Sequence, residues 1–177
     1  IEDEKIITYD SHPNSAKLFM VRKSNLSTLD TLEYDYTKEP YNYDSRRQIH
    51  SLLSYRNYLY DYDGKDLFIY DISVGRFRFI EKIEISSTLN TYITSFNTPL
   101  ASLAYEDKLY LFGSEHITVF DISNPSSPMF YQSVPLIVNL GENASAGLIS
   151  GFYVLSYERN INIYSLNNGN PSLITTT

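Results

Sequence analysis

Asp66-Leu67-Phe68-Ile69-Tyr70-Asp71-Ile72-Ser73 and His116-Ile117-Thr118-Val119-Phe120-Asp121-Ile122-Ser123 follow one pattern, apolar through the middle and closed by the same Asp-Ile-Ser, fifty residues apart. A matching hairpin precedes each: Ser51-Leu52-Leu53-Ser54-Tyr55-Arg56-Asn57-Tyr58-Leu59-Tyr60, and Ser102-Leu103-Ala104-Tyr105-Glu106-Asp107-Lys108-Leu109-Tyr110-Leu111. A third copy is Asn160-Ile161-Asn162-Ile163-Tyr164-Ser165-Leu166, preceded by Gly147 to Val154, and a fourth, reduced copy is Lys17-Leu18-Phe19-Met20-Val21-Arg22. Repetition at 40 to 50 residues marks a stack of like units rather than one irregular domain.

The local texture is that of strands and turns. Among the 177 residues there are 17 Tyr, no Trp and 7 Gly, and short β-branched or aromatic runs are broken by Asn, Asp, Ser, Gly and Pro. Ile117 and Val119 alternate with His116 and Thr118, and Ile161 and Ile163 with Asn160 and Asn162. That is the two-residue period of a strand with one face buried. The one helical rival is Arg46 to Tyr58, where Ile49, Leu52, Leu53 and Arg56 fall at helical spacing after Ser45, a potential N-cap.

Each unit reads as four short strands. Such a unit cannot bury both faces alone, and radial stacking of antiparallel units gives a β-propeller. The fold class expected is therefore all-β, a single propeller region over residues 1–177 with blades near 4–36, 48–85, 100–134 and 146–177. The first blade supplies three strands where the others supply four. Closed propellers usually carry four to eight blades, so the chain is expected to be part of a larger or partner-completed ring rather than a self-closed four-bladed one. The chain begins with Ile1 instead of Met, which fits a processed product or a fragment.

Glu115-His116-Ile117-Thr118-Val119-Phe120-Asp121-Ile122-Ser123-Asn124-Pro125-Ser126-Ser127-Pro128 resembles the LVIVD repeat of bacterial and archaeal propellers, an apolar strand followed by Asp-Ile/Val-Ser-Asn-Pro and a second Pro. The likeness is good over 102–134. It weakens over 51–85, where Val74-Gly75-Arg76 replaces Asn-Pro, and over 146–174, where Ser165 stands for the Asp. Over 4–36 only the strand pattern survives. The resemblance implies a propeller, often on surface or secreted proteins, with no shared catalytic residues.

Composition narrows the partners. With Lys+Arg 14 against Asp+Glu 21 the net charge is −7, a sign that repels phosphate backbones and anionic headgroups, so neither nucleic acid nor direct membrane insertion is expected. The absence of Cys removes disulfides, thiol nucleophiles and Cys-ligated metals. His12, His50 and His116 lie at non-equivalent places, and no His-Glu-x-x-His or Gly-x-Ser-x-Gly pattern occurs. No catalytic residue, metal or cofactor is assigned. Asp61-Tyr62-Asp63-Gly64-Lys65-Asp66 imitates the start of a calcium loop, but Lys65 takes a ligand position and Ile72 stands where Glu should close it. A tight turn at Asp63-Gly64 is the better reading. Asp71 and Asp121 end their strands where a carboxylate can accept turn N–H groups, a structural role.

The segment from Tyr34 to Asp44 joins two blades and carries Tyr34, Tyr36, Tyr41 and Tyr43 among acids. Tyr offers wide contact area and a polar tip at low entropic cost, so this is the candidate binding loop, with packing on the next blade as the alternative. Such connectors are expected on the same face as the Asp61–Asp66 turn. Asn25-Leu26-Ser27 and Asn143-Ala144-Ser145 are candidate glycosylation sites. Together these features suggest a non-enzymatic module that binds protein or carbohydrate in an extracellular or cell-surface assembly. A lyase or hydrolase with a site in the central channel, or a self-assembling structural subunit, are the alternatives.

Overall fold

The computed structural model describes residues 5–12, 15–35, 51–85, 99–113, 116–136, 145–149, 152–157, 160–166 and 169–176. Among the described residues fifteen strands form four antiparallel sheets. Sheet 1 comprises β1 (Lys5–His12), β2 (Ser15–Arg22) and β3 (Thr28–Asp35), in that order. Sheet 2 runs β4 (Ser51–Tyr55), β5 (Tyr58–Tyr62), β6 (Asp66–Asp71), β7 (Arg78–Glu84). Sheet 3 runs β8 (Pro99–Tyr105), β9 (Lys108–Gly113), β10 (His116–Asp121), β11 (Met129–Pro135). Sheet 4 runs β12 (Ser145–Ile149), β13 (Phe152–Tyr157), β14 (Asn160–Ser165), β15 (Ser172–Thr176). Neighbours in sequence are neighbours in space throughout, the meander that short hairpin turns produce.

The helical rival fails. Ser51–Tyr55 is strand β4, paired residue for residue with Tyr62 back to Tyr58, and Arg56-Asn57 is the turn between them; residues 46–50 lie outside the described residues. Arg56 has a φ of 53°, a left-handed geometry that reverses the chain and that a helix interior does not use.

The repeat is written into the ladders. The pairing between the third and fourth strands slips once in every sheet, after Met20, Ile69, Val119 and Ile163, at intervals of 49, 50 and 44 residues. This bulge aligns β2 with β6, β10 and β14. Sheet 1 therefore consists of the second, third and fourth strands of the unit, and among the described residues it has no counterpart of β4, β8 or β12. Those first strands lie side by side in the stack, β4 against β8 and β8 against β12.

Burial follows from the stacking. In β6 the whole run Leu67-Phe68-Ile69-Tyr70 is fully buried, because Phe68 and Tyr70 pack with Leu18, Met20 and Leu59 towards sheet 1, while Leu67 and Ile69 pack with Tyr60, Leu109, Leu111 and Phe120 towards sheet 3. β10 is divided likewise, Phe120 facing sheet 2 and Ile117 and Val119 facing Tyr153 and Tyr164 of sheet 4. Three apolar layers thus join four sheets, and a strand inside the stack needs apolar side chains on both faces.

Sheet 4 inverts the expectation for its own strand. Ile161 is 42% exposed and Asn162 fully buried, because the Asn162 face is the one that meets sheet 3. The Thr176 hydroxyl donates to Asn162 Oδ1 at 2.8 Å, while the buried Asn162 Nδ2 has no hydrogen-bond partner among the described residues.

Candidate functional site

Strand direction sorts the loops onto two ends of the stack. The pairs Ser15–Asp35, Ser51–Tyr62, Pro99–Gly113 and Ser145–Ser156 lie at one end. The chain leaves β3, β7 and β11 there and enters β4, β8 and β12 there, and the β5–β6 turn lies at the same end. The signature turns after Asp71 and Asp121, with the β4–β5 and β8–β9 turns, occupy the opposite end.

At the connector end the described anchor is the β5–β6 turn. Asp63 Oδ1 accepts the backbone N–H groups of Lys65 at 2.8 Å and Asp66 at 2.6 Å, and Gly64 supplies the φ of 92° that closes the turn. Lys65 O then accepts the N–H of Ile85 at 3.0 Å, fastening the turn to the exit of β7. Asp61, Asp63 and Asp66 are all buried, with Lys82 Nζ 4.0 Å from Asp66 and 3.6 Å from Glu84. Among the described residues no three His, Cys, Asp or Glu side chains are grouped to hold a metal. The arrangement is a carboxylate-capped turn.

Of the tyrosines singled out for this end, Tyr34 lies in β3 with its backbone opposite Ala16. Its side chain, and all of Tyr36, Tyr41 and Tyr43, lie outside the described residues, as do His50 and Asn143. Asn25 is at the other end, in the exposed β2–β3 turn, where its Oδ1 accepts the N–H of Ser27 at 3.0 Å and Leu26 takes a φ of 55°. Asn25 therefore lies at the end opposite the one where the chain leaves β3 and enters β4.

The signature end is a repeated lock. Asp71 Oδ1 accepts the N–H of Ser73 at 2.8 Å and Asp121 Oδ1 that of Ser123 at 2.9 Å. Ile72 N–H donates to Asn57 O at 2.9 Å and Ile122 N–H to Asp107 O at 2.8 Å, tying each signature turn to the hairpin before it. A cation then neutralises each acid, Arg78 on Asp71 at 3.0 Å and Lys108 on Asp121 at 2.9 Å. Hydrogen bonds from the Ser123 hydroxyl and backbone, with Lys108 beside them, hold the Asp121 carboxyl down to about 2. These acids are used up in making the turn.

Tyrosines join one sheet to the next. The Tyr60 hydroxyl donates to Pro125 O at 2.8 Å and the Tyr110 hydroxyl to Leu166 O at 2.9 Å, each crossing from the second strand of one sheet to the signature turn of the following one. Burial raises both phenols, Tyr110 to about 12, so they stay protonated donors. Asp107 adds a second bridge, accepting from Tyr55 Oη at 3.0 Å and Arg56 Nη2 at 2.8 Å. Sequence reasoning missed this device, although Tyr60 and Tyr110 stand at equivalent places in the two best repeats.

The geometry defines an all-β stack of antiparallel sheets, four-stranded in three of its four units. No family model matches the sequence, and no curated protein does. Solved structures do. A structure described as the AfRom2 CNH domain, which is propeller-like, superposes with a TM-score of 0.64 at 9% identity, covering 100% of this chain and 52% of its own. A functionally unknown protein from Desulfotomaculum acetoxidans superposes with a TM-score of 0.61 at 10% identity, covering 95% of this chain and 54% of its own. The chain spans about half the length of each. At these identities the likeness concerns fold alone.

Proposed function

We propose that the chain is an arc of a β-propeller of the LVIVD-repeat type that its signature resembles, completed into a ring by further polypeptide or by a partner. In this reading it is a non-enzymatic binding module for protein or carbohydrate in an extracellular or cell-surface assembly. One observation carries the reading: the strands entering and leaving every connector converge on one end, while Asp63, Asp71 and Asp121 are committed to turns and Tyr60 and Tyr110 to sheet-to-sheet ties. The Tyr-bearing connectors are then the part of the molecule left for recognition.

The test is a screen of the intact protein on a glycan array and against immobilised extracellular proteins, repeated with Tyr34, Tyr36, Tyr41 and Tyr43 all changed to Ser. Binding that disappears in the variant, with an unchanged melting temperature, is the expected result. Binding that survives the four substitutions, or silence across both panels, contradicts the assignment of recognition to this end.

A further inference from the structure

Resting on the ring reading above, we propose that the outer face of sheet 4, formed by Val154, Ile161 and Ile163, is the seat of a further four-stranded blade carried on the same polypeptide outside these 177 residues.

The aligned ladders identify what this face is. Ile161 occupies the register position of Leu67 and Ile117, Ile163 that of Ile69 and Val119, and Val154 that of Tyr60 and Tyr110. All six counterparts in sheets 2 and 3 are fully buried, and all face the next sheet. On sheet 4 the same positions keep branched apolar residues, yet Ile161 is 42% exposed and Val154 and Ile163 only half-buried. The last unit of a stacked array normally carries a polar outer face. Sheet 4 does not; Phe152, 44% exposed, and Ile174, 52% exposed, add to its uncovered apolar surface.

The occupant is defined by what sits at this place inside the stack. Leu59, Phe68 and Tyr70 of sheet 2 face sheet 1, Leu109 and Phe120 of sheet 3 face sheet 2, and Tyr153 and Tyr164 of sheet 4 face sheet 3. A face of leucine and aromatic rings is therefore the complement. Two observations select the source. The two solved structures compared above are each about twice as long as the stack within a single chain. A second copy that continued the ring would set its sheet 1 here, bringing Phe19 and Val21 but also the Lys17–Glu33 ion pair at 3.6 Å. Burying that pair against isoleucines costs desolvation with nothing to replace the water.

The experiment combines two readings of the native polypeptide from its source: its intact mass after denaturation and deglycosylation, and carbene footprinting of the folded protein. The expected result is a mass well above 20.4 kDa, with Ile161 and Ile163 as weakly labelled as Leu67. Labelling of Ile161 at the level of Val74, which is 76% exposed, overturns the proposal whatever the mass. Protection together with a mass of 20.4 kDa also overturns it, because the cover then comes from a separate chain; the ring reading survives that outcome. The substitution Ile163→Glu supplies an independent check. It should lower the melting temperature of the native polypeptide as Ile69→Glu does, and an unchanged melting temperature contradicts the seat.

Discussion

Phe68 in sheet 2 and Asn162 in sheet 4 hold the same place in the unit, and both are fully buried. Their neighbours Leu67 and Ile161 also hold one place, yet Leu67 is fully buried and Ile161 is 42% exposed. Residue type does not account for this. Position in the stack does: sheets 2 and 3 are covered on both sides, and sheet 4 on one. Burial here therefore belongs to the interface between sheets, and a residue's energetic weight depends on whether the next sheet is present.

The largest effect should come from breaking this contrast directly. In the isolated 177-residue chain, Leu67→Ala is expected to cost about 2–5 kcal/mol in urea unfolding, the range for truncating a fully buried Leu. Ile161→Ala at the equivalent place should cost under about 1 kcal/mol, as at other half-exposed sites. In the native polypeptide the gap between the two should close, since the further blade would bury both.

Next in size are the tyrosine ties. Tyr60→Phe and Tyr110→Phe each keep the ring and remove one hydroxyl, leaving the carbonyl of Pro125 or Leu166 without its donor, and each should cost about 1–2 kcal/mol. Equal losses at the two places would show that the tie is part of the repeat; a loss at only one would confine it to one interface.

The acid limb of stability separates the signature turns from the rest. Asp121 is held down to about 2 against an ordinary 3.8. A carboxyl lowered on folding stabilises fully above its unfolded value and loses that contribution as pH falls through the folded one. Asp121→Asn should therefore lower the urea midpoint at pH 7 and flatten its fall between about pH 4 and pH 2. Parallel curves for the two proteins would contradict the assignment. The smallest effect belongs to Arg56, half exposed where it meets Asp107 at 2.8 Å: Arg56→Ala should cost less than about 1 kcal/mol, diminishing further in high salt.

Much of the fold was legible because it is repeated. Asp-Ile-Ser after an apolar strand appears twice with matching hairpins, and the ladder slips recur at the same intervals. The three-stranded first unit and the turn reading of Asp63-Gly64 came from the same alignment. What could not be read is which face of β14 is covered. Asn-Ile-Asn-Ile carries a two-residue period but no sign of where the neighbour lies, and the chain buries the Asn side because sheet 3 is on that side. The Tyr60 and Tyr110 ties were hidden for another reason: a strand pattern counts Tyr as an apolar body, and its hydroxyl matters only once the next sheet's turn is in place. Of the candidate site, the common end of the connectors was legible from strand order, whereas Tyr36, Tyr41 and Tyr43 lie outside the described residues.

Everything above depends on sheets 2 and 3 stacking through their first strands, β4 against β8, in the aligned register. In that stack Ser102 Oγ and Ser51 Oγ lie 3.0 Å apart across β8 and β4. The chain contains no cysteine, so the double variant Ser51→Cys, Ser102→Cys offers an unambiguous reporter. Under mild oxidation the monomer should lose both free thiols and gain resistance to urea, measured by thiol titration and unfolding on the same sample. Two thiols that stay free in the folded monomer, while small oxidants reach them, would contradict the stacking on which the account rests.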